Sequence, residues 1–237
     1  MNLKKGQQMT QPIVKLLQHS PTEIDIINSA WVAARGCYSD KSAYELANEE
    51  ETFDNKFKLF KRLLKDKHRT TLTHINFSFS FDKVPIKIAT QLTRSQVGTC
   101  FDQRSTRYLP KWTKGKRAYD YGVQPIRMRV EKDEKFSNEQ MKLINEQIEV
   151  CYNLCAATYE SLRNMGVPAE DASYILNLGA FTGLTATFNL VSFRHWINTR
   201  YNHSTGKAQG EHEELATEAL KCFKDNYPNI YKAMFEE

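Results

Sequence analysis

Polar and apolar residues alternate one for one in "HINFSFSFDKV" (74–84), which puts Ile75, Phe77, Phe79 and Phe81 on one side. A period of two predicts a strand with one face on a core. Most of the remaining chain has helical spacing. "SPTEIDIINSAWVAARG" (20–36) predicts a helix with Ser20 as cap, Pro21 at the first helical position, Glu23 completing a capping box and Gly36 as a left-handed stop. "KFKLFKRLLKDK" follows an acidic run and gathers Phe57, Phe60, Leu63 and Leu64 on one face. "PIKIATQLTR" (85–94) returns to helical spacing with Pro85 at its start.

Further along, "GVQPIRMRV" (122–130) reads as a second strand. A long helix is expected from Ser137 to Gly166, opened by the capping box "SNEQ", with Met141, Ile144, Ile148, Cys151, Cys155 and Leu162 as its buried stripe. "VPAEDASYILNLG" (167–179) and "LTATFNLVSFRHWINTRY" (184–201) have helical spacing too. A last helix from about Ala208 to Tyr227 should stop at Pro228. With no repeat and no linker, the pattern suggests one domain over 1–237, mixed α and β, with helices dominating.

Composition narrows the class. The 237 residues are 41% hydrophobic and 26% charged, ordinary for a soluble globular protein. No stretch is apolar enough to span a bilayer and the N-terminus lacks an apolar signal core. The five cysteines, with no CxxC pair, suit a reducing cytoplasm. A net charge of +5 suits phosphorylated ligands without demanding nucleic acid. The basic, aromatic segment "KWTKGKRAYDYG" (111–122) keeps single-stranded nucleic acid open beside a solvated loop.

Chemistry concentrates in "TRSQVGTCFDQRSTRYLP" (93–110). It sets Arg94, Arg104 and Arg107 among Gly98, Ser105, Thr106 and several amides, with little to serve as a core strand. Arginine forks and hydroxyl donors there can hold a phosphate, and Gly98 permits close backbone approach. Ser105 has no base near it in sequence, so it reads as a phosphate donor and not as a nucleophile. The six histidines show no metal spacing, and His212 reads as part of a solvated helix face. There is no P-loop and no GxGxxG.

The succession of segments resembles the flavin-dependent thymidylate synthases over nearly the whole chain. Their "AARVS" appears as "AARGC", and their histidine-led strand entry as "HRTTLTHINFSF" (68–79). The signature RHR–x7–S–x–R–Y appears as "RSQVGTCFDQRSTRY" (94–108), after the Q–x–x–R of "PIKIATQLTR". "MGVP" (165–168), "TFNLVSFRHWINTR" (187–200) and "AQGE" (208–211) complete the order. The resemblance implies an α+β fold, a mostly antiparallel sheet flanked by a long-helix bundle. It implies homotetramers with FAD in interfacial active sites, and methylation of dUMP at carbon 5. Methylenetetrahydrofolate would give the carbon and NADPH the reducing equivalents, through the flavin.

By position, the resemblance puts Gln91, Arg94, Gln103, Ser105 and Arg107 on the nucleotide and its phosphate, with Arg104 and Thr106 beside them. Arg200 falls on the arginine facing the pyrimidine, where a cation would stabilise charge developing on the ring. Thr70, Arg94, Asn189 and His195 fall on flavin-contacting positions, with Gln103 near both ligands. Departures are several. Ser95 and Gln96 replace the signature's second and third residues, and one extra residue precedes Ser105. Ser173 stands where a phosphate arginine is expected, Val191 replaces another arginine, and "HSTG" (203–206) is inserted after Arg200. These losses keep open a homologue acting on another pyrimidine nucleotide such as dCMP, or making a hydroxymethyl product. A non-catalytic nucleic-acid-binding protein on the same fold is a third possibility.

Overall fold

The structure, a computed structural model, describes residues 12–17, 21–95, 97–105 and 136–236. Four strands form one antiparallel sheet in the order β1 (Ile13–Leu16), β2 (Asn76–Pro85), β4 (Phe181–Asn189) and β3 (Thr99–Gln103). The alternation in β2 is realised: Phe77, Phe79 and Phe81 are buried while the serines between them are only half so. They share the inner face with Leu184, Ala186 and Phe188 of β4, in a register pairing Phe79 with Ala186. A bulge between Phe81 and Val84 ends the regular ladder. There Lys83 takes a left-handed φ of 55°.

Two helices cover that face, α8 (Leu190–Arg200) and α9 (Gly210–Asn226). Phe193 stacks on Phe79 at 5.4 Å and meets Phe223 at 4.8 Å, and Trp196 stacks on Phe188 at 5.2 Å. Each such aromatic removes some 150–250 Å² from water, so this cluster contributes strongly to stability. Helices α1 (Glu23–Arg35), α2 (Ala43–Ala47), α3 (Phe53–Lys65) and α4 (Arg69–Leu72) lie in sequence before β2. Phe60, Leu63 and Leu64 of α3 join the same core.

Several local expectations are corrected. Ser20 lies outside the described residues, and α1 is capped by Thr22, whose hydroxyl and the Asp25 carboxylate form the capping box. Glu23 instead accepts from the backbone N–H groups of Asn229 and Ile230 at 2.7 and 3.0 Å. It thereby caps α10 (Pro228–Phe235), so Pro228 starts a further helix where an end was expected. Gly36 closes α1 in a right-handed conformation, φ −58°. Pro85 is the cap of the short α5 (Ile86–Leu92).

The 93–110 segment contains a strand, β3, because its backbone finds β4 as a partner. The first third of 184–201, residues 184–189, is likewise a strand: it is flanked on both sides in the sheet, and Thr182, Thr185 and Thr187 favour the pleat. Residues 167–179 hold only α7 (Ala169–Ala172) and a 3₁₀ turn, Ser173–Ile175. The expected strand 122–130 lies outside the described residues.

Helix α6 (Asn138–Asn164) begins at its capping box of Ser137 and Gln140. Its buried residues are Tyr152, Ala156 and Tyr159, packed towards α7. Cys151 is exposed, and the rest of the expected stripe is half-buried. Among the described residues α6 packs on α7 and the turn after it, too small a surface to cover a stripe this long.

Candidate active site

Helix α5 buries Ile88, Ala89 and Leu92, while Gln91 is half-buried and Arg94, just past the helix end, is exposed. The chain then makes a tight turn onto the start of α8. The Ser192 hydroxyl donates to the Val97 carbonyl at 2.6 Å, and the Thr99 hydroxyl donates to the Ser95 carbonyl. Asn189 caps α8 by accepting from the Ser192 N–H at 2.8 Å. Gly98, at φ 68°, lies so close to Asn189 that a Cβ would collide with its side-chain amide. The close approach expected of Gly98 is thus to protein.

This turn forms one wall of a cavity of about 840 Å³, completed by α3, α4 and α8. Its apolar floor is Leu64, Leu72, Leu190 and Val191, with the exposed Val97 at the rim. Lys65, Lys67, Arg69, Arg94 and Arg194 supply five cations, and none of the lining residues is acidic. Arg194 is half-buried, and desolvation pulls its pKa down. Ser95 and His195 complete the polar lining among the expected residues. Thr70 is exposed on α4, between the lining residues Arg69 and Leu72.

A second polar cluster joins α5, α8 and α9. Trp196 donates its indole N–H to Nε2 of His212 at 3.0 Å, and Nδ1 of His212 meets Oε1 of Gln91 at 3.3 Å. Gln91 donates through Nε2 to Oε1 of Gln209 at 3.0 Å, and Gln209 donates to the Glu211 carboxylate at 2.9 Å. His212 is completely buried, which corrects its reading as a solvated residue. Burial, aided by the cation of Arg200, pushes its pKa down to about 3. Arg200 therefore shares this neighbourhood with Gln91. Desolvation pushes the Glu211 carboxyl up, and its Oε1 is buried without a hydrogen-bond partner among the described residues.

The other expected residues fall elsewhere. Gln103 is exposed at the end of β3, one strand length (about 17 Å) from the Gly98 turn. Arg104 follows it, pairing with Asp82 at 3.4 Å and lying against Gly183. Ser105 is exposed beside it. Ser173 donates its hydroxyl to the Glu170 carbonyl at 2.9 Å and is not among the residues lining the cavity. Gln96, Thr106 and Arg107 lie outside the described residues. Lys65, Lys67, Arg69 and Arg194 escaped the sequence reading, although "LLKDKHR" signals a local excess of cations.

A family model described as Thymidylate synthase complementing protein matches residues 15–229. A flavin-dependent thymidylate synthase from Geobacter sulfurreducens is 27% identical over 220 residues, 92% of this chain and 85% of its own. One from Streptomyces coelicolor is 25% identical over 201 residues, 82% of this chain and 77% of its own. Among solved structures, the UMP/dUMP methylase PolB from Streptomyces cacaoi bound with 5-Br dUMP matches with a TM-score of 0.70. It covers 94% of each chain at 18% identity, a likeness of fold.

Proposed function

The chain belongs to the thymidylate synthase complementing protein family, and on that premise we propose that it methylates carbon 5 of a pyrimidine deoxynucleotide, most simply dUMP to dTMP. It is a thymidylate synthase-like methyltransferase with FAD as its cofactor. The observation that carries the reading is the cavity of about 840 Å³ with an apolar floor and five cations on its walls. An anionic dinucleotide bearing a flat apolar ring system fits those residues in size, charge and polarity. Lys65, Lys67, Arg69, Arg94 and Arg194 would hold its diphosphate, Leu72, Val97 and Leu190 its apolar parts, and Ser95 and His195 its polar edges. When bound, the flavin supplies the hydride chemistry, relaying reducing equivalents from NADPH, while methylenetetrahydrofolate provides the carbon.

The chain's own residues orient the nucleotide and stabilise charge. Gln91 and Arg94, on successive turns of α5 and its end, would bind it beside the flavin cavity. Arg200 would place its cation against the pyrimidine, where negative charge develops as carbon 5 becomes nucleophilic. Gln103, Arg104, Ser105, Thr106 and Arg107 would hold the phosphate. One chain sets Arg94 and Arg104 at opposite ends of β3, so we propose that neighbouring subunits of a homotetramer complete each site. We place the enzyme in the cytoplasm; no helix among the described residues is long and apolar enough to cross a membrane.

An absorbance spectrum of the purified protein, followed by mixing the reduced protein with dUMP, dCMP and methylenetetrahydrofolate, tests this. A flavin spectrum and dTMP formation are expected. Protein that takes up no FAD would overturn the reading. A second reading, a homologue with another base or a hydroxymethyl product, is favoured by Ser95, Ser173 and Val191 standing where the signature leads one to expect other residues. It requires flavin to be present while dUMP turns over poorly.

A further inference from the structure

The five side chains Trp196, His212, Gln91, Gln209 and Glu211 form one directional file of hydrogen bonds, and both ends set its direction. An indole N–H can only donate, so Nε2 of His212 must accept at 3.0 Å, and the neutral ring then carries its proton on Nδ1. That proton points at Gln91 Oε1, 3.3 Å away. At the other end Gln209 donates its Nε2 to a Glu211 carboxyl oxygen and turns its Oε1 to the Nε2 of Gln91. Reading inward from either end gives the same orientation of the Gln91 amide.

We propose that His212 is a positioning residue, held as the neutral Nδ1–H tautomer, which locks the Gln91 side-chain amide in one orientation and thereby sets which pyrimidine the enzyme accepts. The inference rests on the assignment of Gln91 to the nucleotide made above. A glutamine amide turned through a half-circle exchanges its donor for its acceptor. Uracil offers N3–H and O4 where cytosine offers N3 and an amino group, so their donor and acceptor patterns are reversed. A glutamine free to turn serves both bases, whereas a locked one serves one. With Oε1 engaged by His212 and one Nε2 hydrogen engaged by Gln209, Gln91 keeps one N–H and one lone pair of fixed handedness. Burial and Arg200 keep the ring neutral, since its pKa is about 3, so the lock holds across physiological pH.

The lock predicts a difference between two kinds of substitution. In His212→Gln, the new amide can accept from Trp196 and donate to Gln91, so direction is retained. In His212→Phe neither bond exists. Trp196→Phe removes only the donor that selects the tautomer, and serves if His212→Phe does not fold. Titration of the purified flavoprotein with dUMP and with dCMP should show the preference for one nucleotide falling about tenfold in His212→Phe and Trp196→Phe. His212→Gln should keep it. Imidazole ¹⁵N spectra of the parent should show the Nδ1–H tautomer from neutral pH down to about 4.

An Nε2–H or charged ring would overturn the lock without reference to activity. Gln91→Ala separates the remaining cases. If it weakens nucleotide binding while His212→Phe and Trp196→Phe keep the parent's preference, the lock is overturned and the site assignment stands. If Gln91→Ala binds as the parent does, Gln91 is not at the nucleotide, and the consequence drawn for His212 falls with that placement.

Discussion

Asn189 and Gly98 meet backbone to backbone: the Asn189 amide donates to the Gly98 carbonyl at 2.8 Å. The side-chain nitrogen of Asn189 also fills the space that a Cβ on Gly98 would occupy. This seam joins the turn after α5 to the point where β4 becomes α8. It thus holds Arg94 and Ser95 in the wall of the cavity whose other side carries Arg194 and His195.

Gly98→Ala should therefore destabilise the protein by on the order of 3 kcal/mol, from the left-handed φ together with the collision. Urea unfolding would show the midpoint lowered. Adding Asn189→Ser, which shortens the obstructing side chain but can still cap α8, should return part of the loss. Strictly additive effects of the two changes would contradict the seam.

Arg194 is the cavity cation that desolvation affects most visibly. Arg194→Ala should raise the FAD dissociation constant by about tenfold or more, the loss of a charge-assisted contact. Far-UV circular dichroism should be unchanged. Fluorescence quenching of FAD on titration measures this, and an unchanged constant would remove Arg194 from the diphosphate site.

Arg200→Ala should abolish turnover while the protein stays folded, with FAD still bound. Its side chain is only half-buried, so the core of Phe193 and Trp196 does not depend on it. Turnover close to that of the parent would remove Arg200 from the catalytic role.

His212 makes stability depend on pH. Its folded pKa, about 3, lies below the ordinary histidine value of 6.5, so the unfolded chain binds the extra proton first. Its contribution is therefore complete above pH 6.5 and is lost as pH falls from there towards 3, at up to about 1.4 kcal/mol per pH unit. Glu211 works in the opposite sense, because its raised pKa favours the folded state as that carboxyl takes up a proton. Comparing His212→Gln with the parent isolates the histidine: the parent's stability should fall more steeply between pH 6.5 and 4. Equal slopes in urea titrations would show that the ring is not buried neutral.

How much of this was legible beforehand varies with the range of the interaction. The alternation in Ile75, Phe77, Phe79 and Phe81, the capping box at Ser137 and the proline at the start of α5 are local signals, and each marks an element that forms. Residues 184–189 were not legible in that way. A short apolar run suits helix and strand alike, and the pairing of β4 with both β2 and β3 decides it. β3 likewise depends on a partner more than eighty residues away.

The order of motifs and the arginines of the 93–110 segment were available from the chain itself, because residue type and spacing carry them; Gln91 and Arg200 were singled out by the family resemblance. The tertiary structure alone decided that Lys65 and Arg194 share a cavity with Arg94, and that His212 is a buried neutral link to Gln91. The reason is physical: a histidine's charge and a glutamine's direction depend on solvent exclusion and on partners brought together by folding. Neighbours in sequence do not report either quantity.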